Sequence, residues 1–342
     1  MITLKAELAQ GLEDPVALCS ALQTAIELEH ATIPPYLYAL YSLEGPNQEI
    51  AALLRSVVVE EMTHMGLVCN ILNAIGGAPD IDAPHFIPAY PGPLPGAVEH
   101  QLIVPLSPFT QDVVSSVFMV IEEPEDPLEF PTLELAAQLT IGQFYEAIAQ
   151  QLTTVGESIF TGDPAKQVTH DLGVEELVPI TDLAGALNAI ETIVEQGEGT
   201  TQVPTDEQGE LAHYYRFAEI HNGRRLVPNP DAPPDAPPQQ RYSYSGQPIP
   251  FDGAGVRPLV LNPTTESYET GTQARFANDS FNYTYTSLLK SLHATFNGQP
   301  DLLMTAVGLM ESCKQQALEM GTLPIGDGNV AGPSFQYRPT NS

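Results

Sequence analysis

Two pairs of side chains in this chain combine a carboxylate and an imidazole at a spacing that suits a metal ion. Glu61 precedes His64 by three residues, and Glu210 precedes His213 by the same interval. On an α-helix, residues three apart project from one face, so each pair offers an oxygen and a nitrogen ligand side by side. Each pair also lies in a stripe of apolar residues at helical spacing. The pattern predicts two helices that each turn a Glu-x-x-His pair towards the protein interior.

Two single glutamates complete a set of ligands. Glu29 takes the place of an apolar residue in the stripe of a first helix, and Glu146 does so in a third. One Glu from each of two helices, with a Glu-x-x-His pair from each of two others, is the ligand set of two-metal sites in four-helix bundles. Two divalent cations would cancel four negative charges that are costly to bury alone. A donor set dominated by carboxylates favours two iron ions, or alternatively manganese, over zinc.

Two further residues are candidates for catalytic roles, with alternatives left open. Tyr36 lies seven residues after Glu29 and is predicted to hydrogen-bond near the metals, although a plain core aromatic has the same pattern. Glu198 lies between two glycines and continues an apolar face. It could replace Glu210 or Glu146 as a ligand, or it could be a solvated residue at a helix end.

The other acidic and histidine positions are expected to have ordinary roles. A third Glu-x-x-His pair, Glu27 and His30, is interpreted as coincidental, because about one such pair arises by chance in a chain of this length. Glu60 is expected to point aside from the core stripe. For the six predicted metal ligands, the alternative is a set of core polar groups that hydrogen-bond within the protein.

The elements that must position these residues are predicted to be helices. A first helix begins at Asp14-Pro15, an N-cap followed by proline, and continues past Pro34-Pro35, which should kink it. Further helices are predicted over residues 48–75, 132–154, 182–196, 206–222, 283–296 and 301–320, with a short one near 112–121. Strand-like alternation is weak. The predicted fold class is therefore all-α: a four-helix bundle with a long crossover and additional C-terminal helices.

Composition divides the chain into three expected parts. Residues 1–222 would form the metal-binding bundle, with a proline-rich crossover at 78–131. Residues 223–275 are rich in Pro and Gly and are expected to be irregular, wrapping the bundle or covering the site. Residues 276–342 would supply a C-terminal helical pair that packs on the bundle.

The charge balance argues against two classes of partner. The chain has 12 Lys+Arg and 43 Asp+Glu, for a formal net charge of −31, which opposes binding to nucleic acids and to anionic membrane surfaces. Three scattered cysteines do not suggest a disulfide framework, and neither a signal-peptide pattern nor a membrane-spanning apolar run is evident. We therefore predict no nucleic-acid or membrane partner and a location in the reducing cytoplasm. A homodimer is compatible with this interpretation.

Several longer stretches resemble a known family. A Glu seven residues before a Tyr, followed by Glu-x-x-His on the next helix, resembles the ferritin-like superfamily. More closely, the chain is similar to the ferritin-like domain of iminophenyl-pyruvate dimer synthases of violacein-type pathways. The matching stretches are 28–37 (LEHATIPPYL), 60–65 (EEMTHM), 90–95 (YPGPLP), 195–199 (EQGEG), 213–217 (HYYRF) and 332–335 (GPSF).

The resemblance implies a non-haem dimetal centre and a long crossover between the second and third bundle helices. With the residue pattern, it leads us to predict an oxidoreductase that activates oxygen or peroxide on a small, amino-acid-derived substrate. The alternative is an iron-binding or ferroxidase protein without an organic substrate. A third alternative is a degenerate bundle that serves as an interaction scaffold.

Overall fold

The chain folds mainly into helices, as the all-α prediction requires. The computed structural model describes residues 2–97, 102–124, 138–171, 176–198, 203–206, 208–233, 236 and 238–338. Its main helices are α1 (Pro15–Ser42), α2 (Gln48–Ala74), α3 (Gln111–Val113, Val114–Phe118 and Met119–Ile121 in one run), α4 (Ile141–Val155), α5 (Leu183–Glu198), α6 (His213–Asn222), α7 (Gln273–Phe296) and α8 (Leu303–Met320). The predicted fold class is confirmed.

The remaining regular structure consists of short pieces that tie loops together. Four antiparallel two-stranded ladders pair β1 (Leu4–Lys5) with β2 (Gln138–Leu139), β3 (His170–Asp171) with β4 (Glu176–Leu177), β5 (Val227–Pro228) with β6 (Tyr242–Ser243), and β7 (Pro324–Gly326) with β8 (Asn329–Val330). Single helical turns lie at Ala6–Ala9, Pro84–Phe86, Gly156–Ile159, Pro164–Lys166, Pro238–Arg241, Gly253–Gly255, Thr265–Ser267 and Pro300–Leu302. None of the described helices is both long enough and apolar enough to cross a membrane.

Helix α1 begins and continues as its sequence predicts. The Asp14 side chain accepts a hydrogen bond of 3.1 Å from the backbone N–H of Val16, which satisfies one of the free amides of the first turn. The helix runs without interruption through Pro34-Pro35. The second of these prolines has no N–H for the carbonyl of Ala31, four residues earlier. The hydroxyl of Tyr90 donates to that carbonyl at 2.7 Å instead, so the crossover supplies the hydrogen bond that the helix lacks.

The bundle interior lies between α1, α2, α4, α5 and α6. A short turn joins α1 to α2, and the two pack side by side, with Thr32 facing Glu61 and Glu29 facing His64. Helix α4 contacts α1 and α5, while α6 contacts α2, α5 and α3. On the other side of α1 and α2 lies the α7–α8 hairpin, held in part by a 2.7 Å hydrogen bond from the Asn73 amide to the carbonyl of Phe296.

Several predicted boundaries are wrong. Helix α6 begins at His213 rather than at 206, and α7 begins at Gln273 rather than at 283. Helix α4 begins at Ile141, where Thr140 forms a capping box with Gln143, whereas residues 138–139 form a strand and residues 132–137 lie outside the described part. The residues that precede α6 instead form a tight loop, described below.

Part of the segment 223–275 packs against the turn between α1 and α2. The side-chain amide of Asn47 donates to the carbonyls of Asp252 and Gly255, at 3.0 Å each. Asn47 is 1% exposed, so its buried amide is satisfied by this segment rather than by water. Residues 252–255 therefore contact the bundle at the turn between α1 and α2.

Candidate metal centre

Glu61 is the common member of two compact clusters of buried acidic and imidazole groups. In the first cluster, ligand atoms of Glu61, Glu29 and His64 all lie within 4.8 Å of one another. In the second, ligand atoms of Glu61, Glu122 and His213 do so. All five residues are buried. Glu61 therefore has one imidazole and one further carboxylate on each side. Two metal ions that share Glu61 as a ligand would require this arrangement.

The first cluster consists of residues predicted from the sequence, and its geometry follows from the α1–α2 pairing. Glu61 and His64 lie one turn apart on α2, and Glu29 faces them from α1. Nδ1 of His64 is 3.5 Å from Oε2 of Glu29. The structure thus brings together three of the six predicted ligands, and His213, a fourth, lies in the second cluster with Nδ1 only 2.8 Å from Oε1 of Glu61.

Glu146 does not reach the centre. Its side chain is exposed on α4, whereas the preceding residue, Tyr145, is buried and donates a hydrogen bond to Glu29. The prediction extended the stripe backwards through Leu139, which belongs to strand β2. Because α4 starts only at Ile141, its inward face has a different phase from the one assumed, and the expected role of Glu146 as a ligand is wrong.

Glu210 is also exposed and outside the helix that carries His213. Its backbone N–H donates to the Asp206 carboxylate at 2.8 Å, and its carbonyl accepts from the N–H of Asp206 at 2.9 Å. Gly209 has a φ of +86°, a conformation that favours glycine and does not continue an α-helix. The loop therefore breaks the expected Glu-x-x-His pair, and Glu210 is not a ligand in this structure.

Glu122 fills the carboxylate position that neither of these residues supplies. It follows the last residue of α3 and is 9% exposed, with Oε2 3.5 Å from Nδ1 of His213. Its apolar predecessors Val114 and Phe118, eight and four residues earlier, are the signal that could have identified it. This apolar helix face is hard to recognise in the sequence, because Val114–Phe118 is a π-helical turn that changes the helical phase. Such turns are frequent at functional sites.

Each carboxylate of the two clusters accepts a hydrogen bond from a hydroxyl. Tyr145 donates to Glu29, and Tyr36 donates to Glu122. The hydroxyl of Thr32 lies 2.8 Å from Oε2 of Glu61. Burial, together with the charges of the neighbouring carboxylates, raises the pKa of both tyrosines well above its ordinary value. Both phenols therefore stay protonated and act as donors that fix the orientation of the carboxylates.

Each histidine is held through its Nε2 atom, which leaves Nδ1 facing the carboxylates. Nε2 of His64 lies 2.7 Å from Oε1 of Gln196 on α5. Nε2 of His213 lies 3.0 Å from Oε2 of Glu60. An acceptor at one ring nitrogen fixes the tautomer and leaves the other nitrogen free to bind a metal. Both side chains are thus preorganised as Nδ1 ligands.

Glu60 has an unexpected place in this arrangement, because it is 3% exposed rather than turned aside. Its second oxygen, Oε1, accepts a 2.6 Å hydrogen bond from the guanidinium of Arg216. Burial alone would raise the pKa of Glu60, but the hydrogen bond from His213 and the charge of Arg216 hold it below its ordinary value. An ionised Glu60 is the strong acceptor that orients His213.

The electrostatics of the two clusters favour a bound cation. Burial raises the pKa of Glu61 to about 7, and the neighbouring charge of Glu122 acts in the same direction. Burial would lower the pKa of His64 and His213, but their hydrogen bonds to nearby carboxylates outweigh it and raise both values. Three buried carboxylates therefore draw positive charge to this point, which metal ions would supply more completely than protons.

The residues present fit metal ions in two further ways. Nδ1 of His213 lies 2.8 Å from Oε1 of Glu61 and 3.5 Å from Oε2 of Glu122, so a cation between these atoms could replace the proton that they share. A cavity of about 40 Å³ lies beside Glu29, Glu61, His64 and Glu122, which is room for a few water-sized particles. Gly197 of α5 forms part of its wall. Oxygen-rich donors with two imidazoles suit iron or manganese.

Of the two residues predicted to be catalytic, Tyr36 and Glu198, the structure describes only the side chain of Tyr36. Tyr36 is fully buried and bonded to Glu122, and its ring packs edge-on against Phe118 and Phe217, with centroid distances of 4.7 Å and 5.1 Å. It is therefore both a core aromatic and a contact of the second cluster. The side chain of Glu198, at the end of α5, lies outside the described residues.

Glu60 offers a test of how His213 is oriented. Changing Glu60 to Gln removes the charge while retaining the shape, so we expect about tenfold weaker metal binding, typical of losing an outer partner of a ligating histidine. Equilibrium dialysis with Fe²⁺ under anaerobic conditions measures this. Glu49→Gln is the control, because Glu49 lies on the same helix in a half-exposed ion pair with Arg225. Equal metal affinities for both variants would contradict the proposed orienting role.

Comparison with known proteins identifies the family to which the fold belongs. A ferritin-like protein from Caulobacter vibrioides, solved at 1.95 Å resolution, aligns with a TM-score of 0.61 and 24% identity over 93% of this chain and 97% of that one. Dichlorochromopyrrolate synthase from Lentzea aerocolonigenes is 27% identical over 93% of this chain. The chain spans only 36% of the length of that synthase. The Ferritin-like family matches residues 22–222, and the chain belongs to this family.

Proposed function

We propose that this chain binds two metal ions of the iron or manganese class. Glu29 and His64 would hold one ion, Glu122 and His213 would hold the other, and Glu61 would bridge them. The observation that carries the proposal is the position of Glu61 as the shared member of both clusters. Three buried carboxylates without such ions would each be costly to desolvate. Hydroxyl groups already orient the three carboxylates, and an amide oxygen and a carboxylate orient the two histidines.

We further propose that the protein is an oxidoreductase acting on a small, amino-acid-derived molecule with oxygen or peroxide as the co-substrate. Metal ions bound at such a site supply redox and Lewis-acid chemistry. The name of the related synthase, whose length the chain covers in part, supports a small organic substrate. The family, to which the chain belongs, and the carboxylate-rich donor set support the metal-dependent reaction.

The chain's own residues would contribute positioning and proton control. The Tyr36 hydroxyl donates to Glu122, and its raised pKa keeps it protonated, so it would hold a proton at that carboxylate. Thr32 and Tyr145 keep Glu61 and Glu29 turned towards each other. The surrounding apolar side chains Leu28, Ile121 and Ile193 line the cavity and limit the access of bulk water, which strengthens these interactions.

A direct experiment loads the purified protein with Fe²⁺ and measures consumption of oxygen or peroxide with a panel of aromatic and aliphatic amino-acid-derived acids. We expect substrate-dependent consumption, with product detected by mass spectrometry, and its loss in Glu61→Gln. Consumption that is independent of every organic substrate but requires Fe²⁺ would overturn the oxidoreductase proposal in favour of iron handling.

An iron-binding or ferroxidase function is the second candidate. The observation in its favour is the size of the cavity at the centre, about 40 Å³ as lined by the described residues, which suits ions and diatomic molecules. Size-exclusion chromatography separates the two ideas, because iron storage in a closed cage requires a large assembly. A monomer or dimer that oxidises an organic substrate would favour the oxidoreductase.

Tyr36 provides a test of proton control at the second cluster. Tyr36→Phe keeps the aromatic packing and removes one hydroxyl, so we expect two metals per chain and a turnover rate lowered roughly 10- to 100-fold, the range for a positioned proton donor or outer partner. Steady-state kinetics and metal analysis on the same samples measure both quantities. Unchanged turnover would show that Tyr36 is only a core aromatic.

A further inference from the structure

A second and much larger cavity lies on the opposite side of α1 and α2 from the metal centre. Its volume is about 680 Å³, within the range of small-molecule binding sites. Helices α1 and α2 form one wall and the α7–α8 hairpin forms the other. No described residue lines both this cavity and the small cavity at the metal centre. A molecule bound here would therefore be separated from the metals by the two ligand-bearing helices.

The cavity is elongated and has one exposed and one buried end. Exposed residues at the α1–α2 turn and the start of α2, among them Gln48, Ala52 and Arg55, line its mouth. His30, Gly66 and Phe296, all buried, line its deep end.

The facing residues of α1 and α2 give the depth of the cavity. Glu29 faces His64 and Thr32 faces Glu61, so His30 is level with residue 63, whereas Arg55 is eight residues closer to the mouth. At 1.5 Å per residue, the two levels are about 12 Å apart along the helices.

Among the described residues, the mouth carries one positive charge without an ion-pair partner. Of the charged residues that line the cavity, Glu44 pairs with Arg257 and Lys314 pairs with Glu311. Arg55 has no ion pair among the described residues. In a chain with a net charge of −31, an unpaired guanidinium at the entrance of an apolar cavity is a specific attraction for a carboxylate.

The deep end contains a buried polar atom for which the described part of the chain provides no hydrogen-bond partner. His30 is 4% exposed, its Nε2 lies 2.8 Å from the hydroxyl of Tyr285, and its Nδ1 has no hydrogen-bond partner among the described residues. Leaving a buried nitrogen without a hydrogen bond is energetically unfavourable. The walls around it are apolar, including Ile33, Leu289 and Phe296. A ligand with a hydrogen-bonding group at its far end would satisfy this atom.

We propose that this cavity binds an elongated apolar carboxylic acid, with its carboxylate at Arg55 and a hydroxyl or comparable polar group about 12 Å deeper at His30. Leu37, Val58 and Leu288 contact its apolar body. The site is independent of the metal centre, so a test of ligand binding here is separate from a test of the proposed oxidoreductase activity.

Isothermal titration calorimetry on the metal-loaded full chain tests the proposal with decanoate, ω-hydroxydecanoate and decanol. We expect one saturable site for decanoate and tighter binding of ω-hydroxydecanoate, whose advantage disappears in His30→Phe. Decanol should bind more weakly. Arg55→Gln should weaken decanoate binding about threefold, as expected for a partly exposed charge pair, and leave decanol unchanged. Arg224→Gln, which removes an exposed guanidinium outside the cavity, is the matched control.

Filling the cavity gives an independent test. Ala51→Phe and Leu37→Phe each place a larger side chain in the lumen, and we expect at least tenfold weaker decanoate binding with two metals per chain retained. Metal content and circular dichroism show whether each variant folds. Absence of saturable binding by the unaltered protein would overturn the proposal. So would decanoate binding that is unchanged in a folded filling variant, or equal binding of decanoate and decanol.

Discussion

Glu61→Gln is expected to reduce the bound metal from two ions per chain to one or none and to abolish metal-dependent turnover. Glu61 is the carboxylate that both clusters share, and an amide oxygen neither carries the bridging charge nor donates two lone pairs as strongly. The loss in metal affinity should exceed the roughly 10- to 100-fold seen when only an outer partner of a ligand is removed. Elemental analysis after dialysis against a low concentration of Fe²⁺ measures the stoichiometry.

In the metal-free protein, Glu61→Gln is not expected to lower the thermal stability. Burial and the charge of Glu122 make an ionised Glu61 unfavourable without cations, so neutral Gln should unfold at the same or a higher temperature in the presence of a chelator. With metal, the unaltered protein should be the more stable, by about 3 kcal/mol at a free metal concentration 100 times the dissociation constant. A thermal unfolding series with and without chelator reveals the crossover.

Two surface carboxylates serve as matched controls for this experiment. Glu146→Gln and Glu210→Gln remove the same charge from exposed positions, so both variants should keep two metals per chain and full activity. Loss of metal in either variant, or retention of two ions by Glu61→Gln, would contradict the assignment of the centre to the two clusters.

Glu122→Gln is expected to leave one metal ion per chain. The cluster of Glu29, Glu61 and His64 is untouched by this change, whereas His213 and Glu61 alone offer too few ligands to hold the second ion. Turnover that needs both metals should fall to background. Elemental analysis and the oxygen-consumption assay on the same preparation measure the two effects together.

Comparison with Tyr36→Phe shows whether Glu122 acts directly. That variant removes the hydroxyl that Glu122 accepts from but leaves the carboxylate, so it should keep two metals while Glu122→Gln keeps one. Two ions in Glu122→Gln would show that α3 does not contribute a ligand. Loss of both ions together would show that the clusters are not two separable metal positions.

The parts of the fold that depend on local signals could be predicted from the sequence. The Asp14 cap and the continuous apolar stripe identify α1, and the glycine pair after residue 75 marks the end of α2. The start of α6 could not be predicted, because the sequence from 206 to 212 has helical periodicity, whereas Gly209 has a positive φ and the Asp206 side chain accepts from the backbone N–H of Glu210. A glycine conformation and a local side-chain-to-backbone hydrogen bond override helical periodicity here.

The residues of the candidate site could likewise be predicted only in part from the sequence. Glu29, Glu61 and His64 lie on two long helices whose phase is unambiguous, so charged residues in their apolar stripes identify the first cluster. Glu122 is harder to identify in this way, because its apolar predecessors belong to a π-helical turn inside the proline-rich crossover. The role of Glu60 was also hidden, since it depends on Arg216 and His213 reaching it from a distant part of the chain.

An anomalous difference map from crystals of the iron-loaded protein, recorded on both sides of the iron absorption edge, tests the central claim most directly. We expect two peaks about 3.5–4 Å apart, the separation typical of two-metal sites, one on each side of the Glu61 carboxylate. A single peak, peaks remote from Glu61, or ordered water alone between the five side chains would contradict the existence of a two-metal centre.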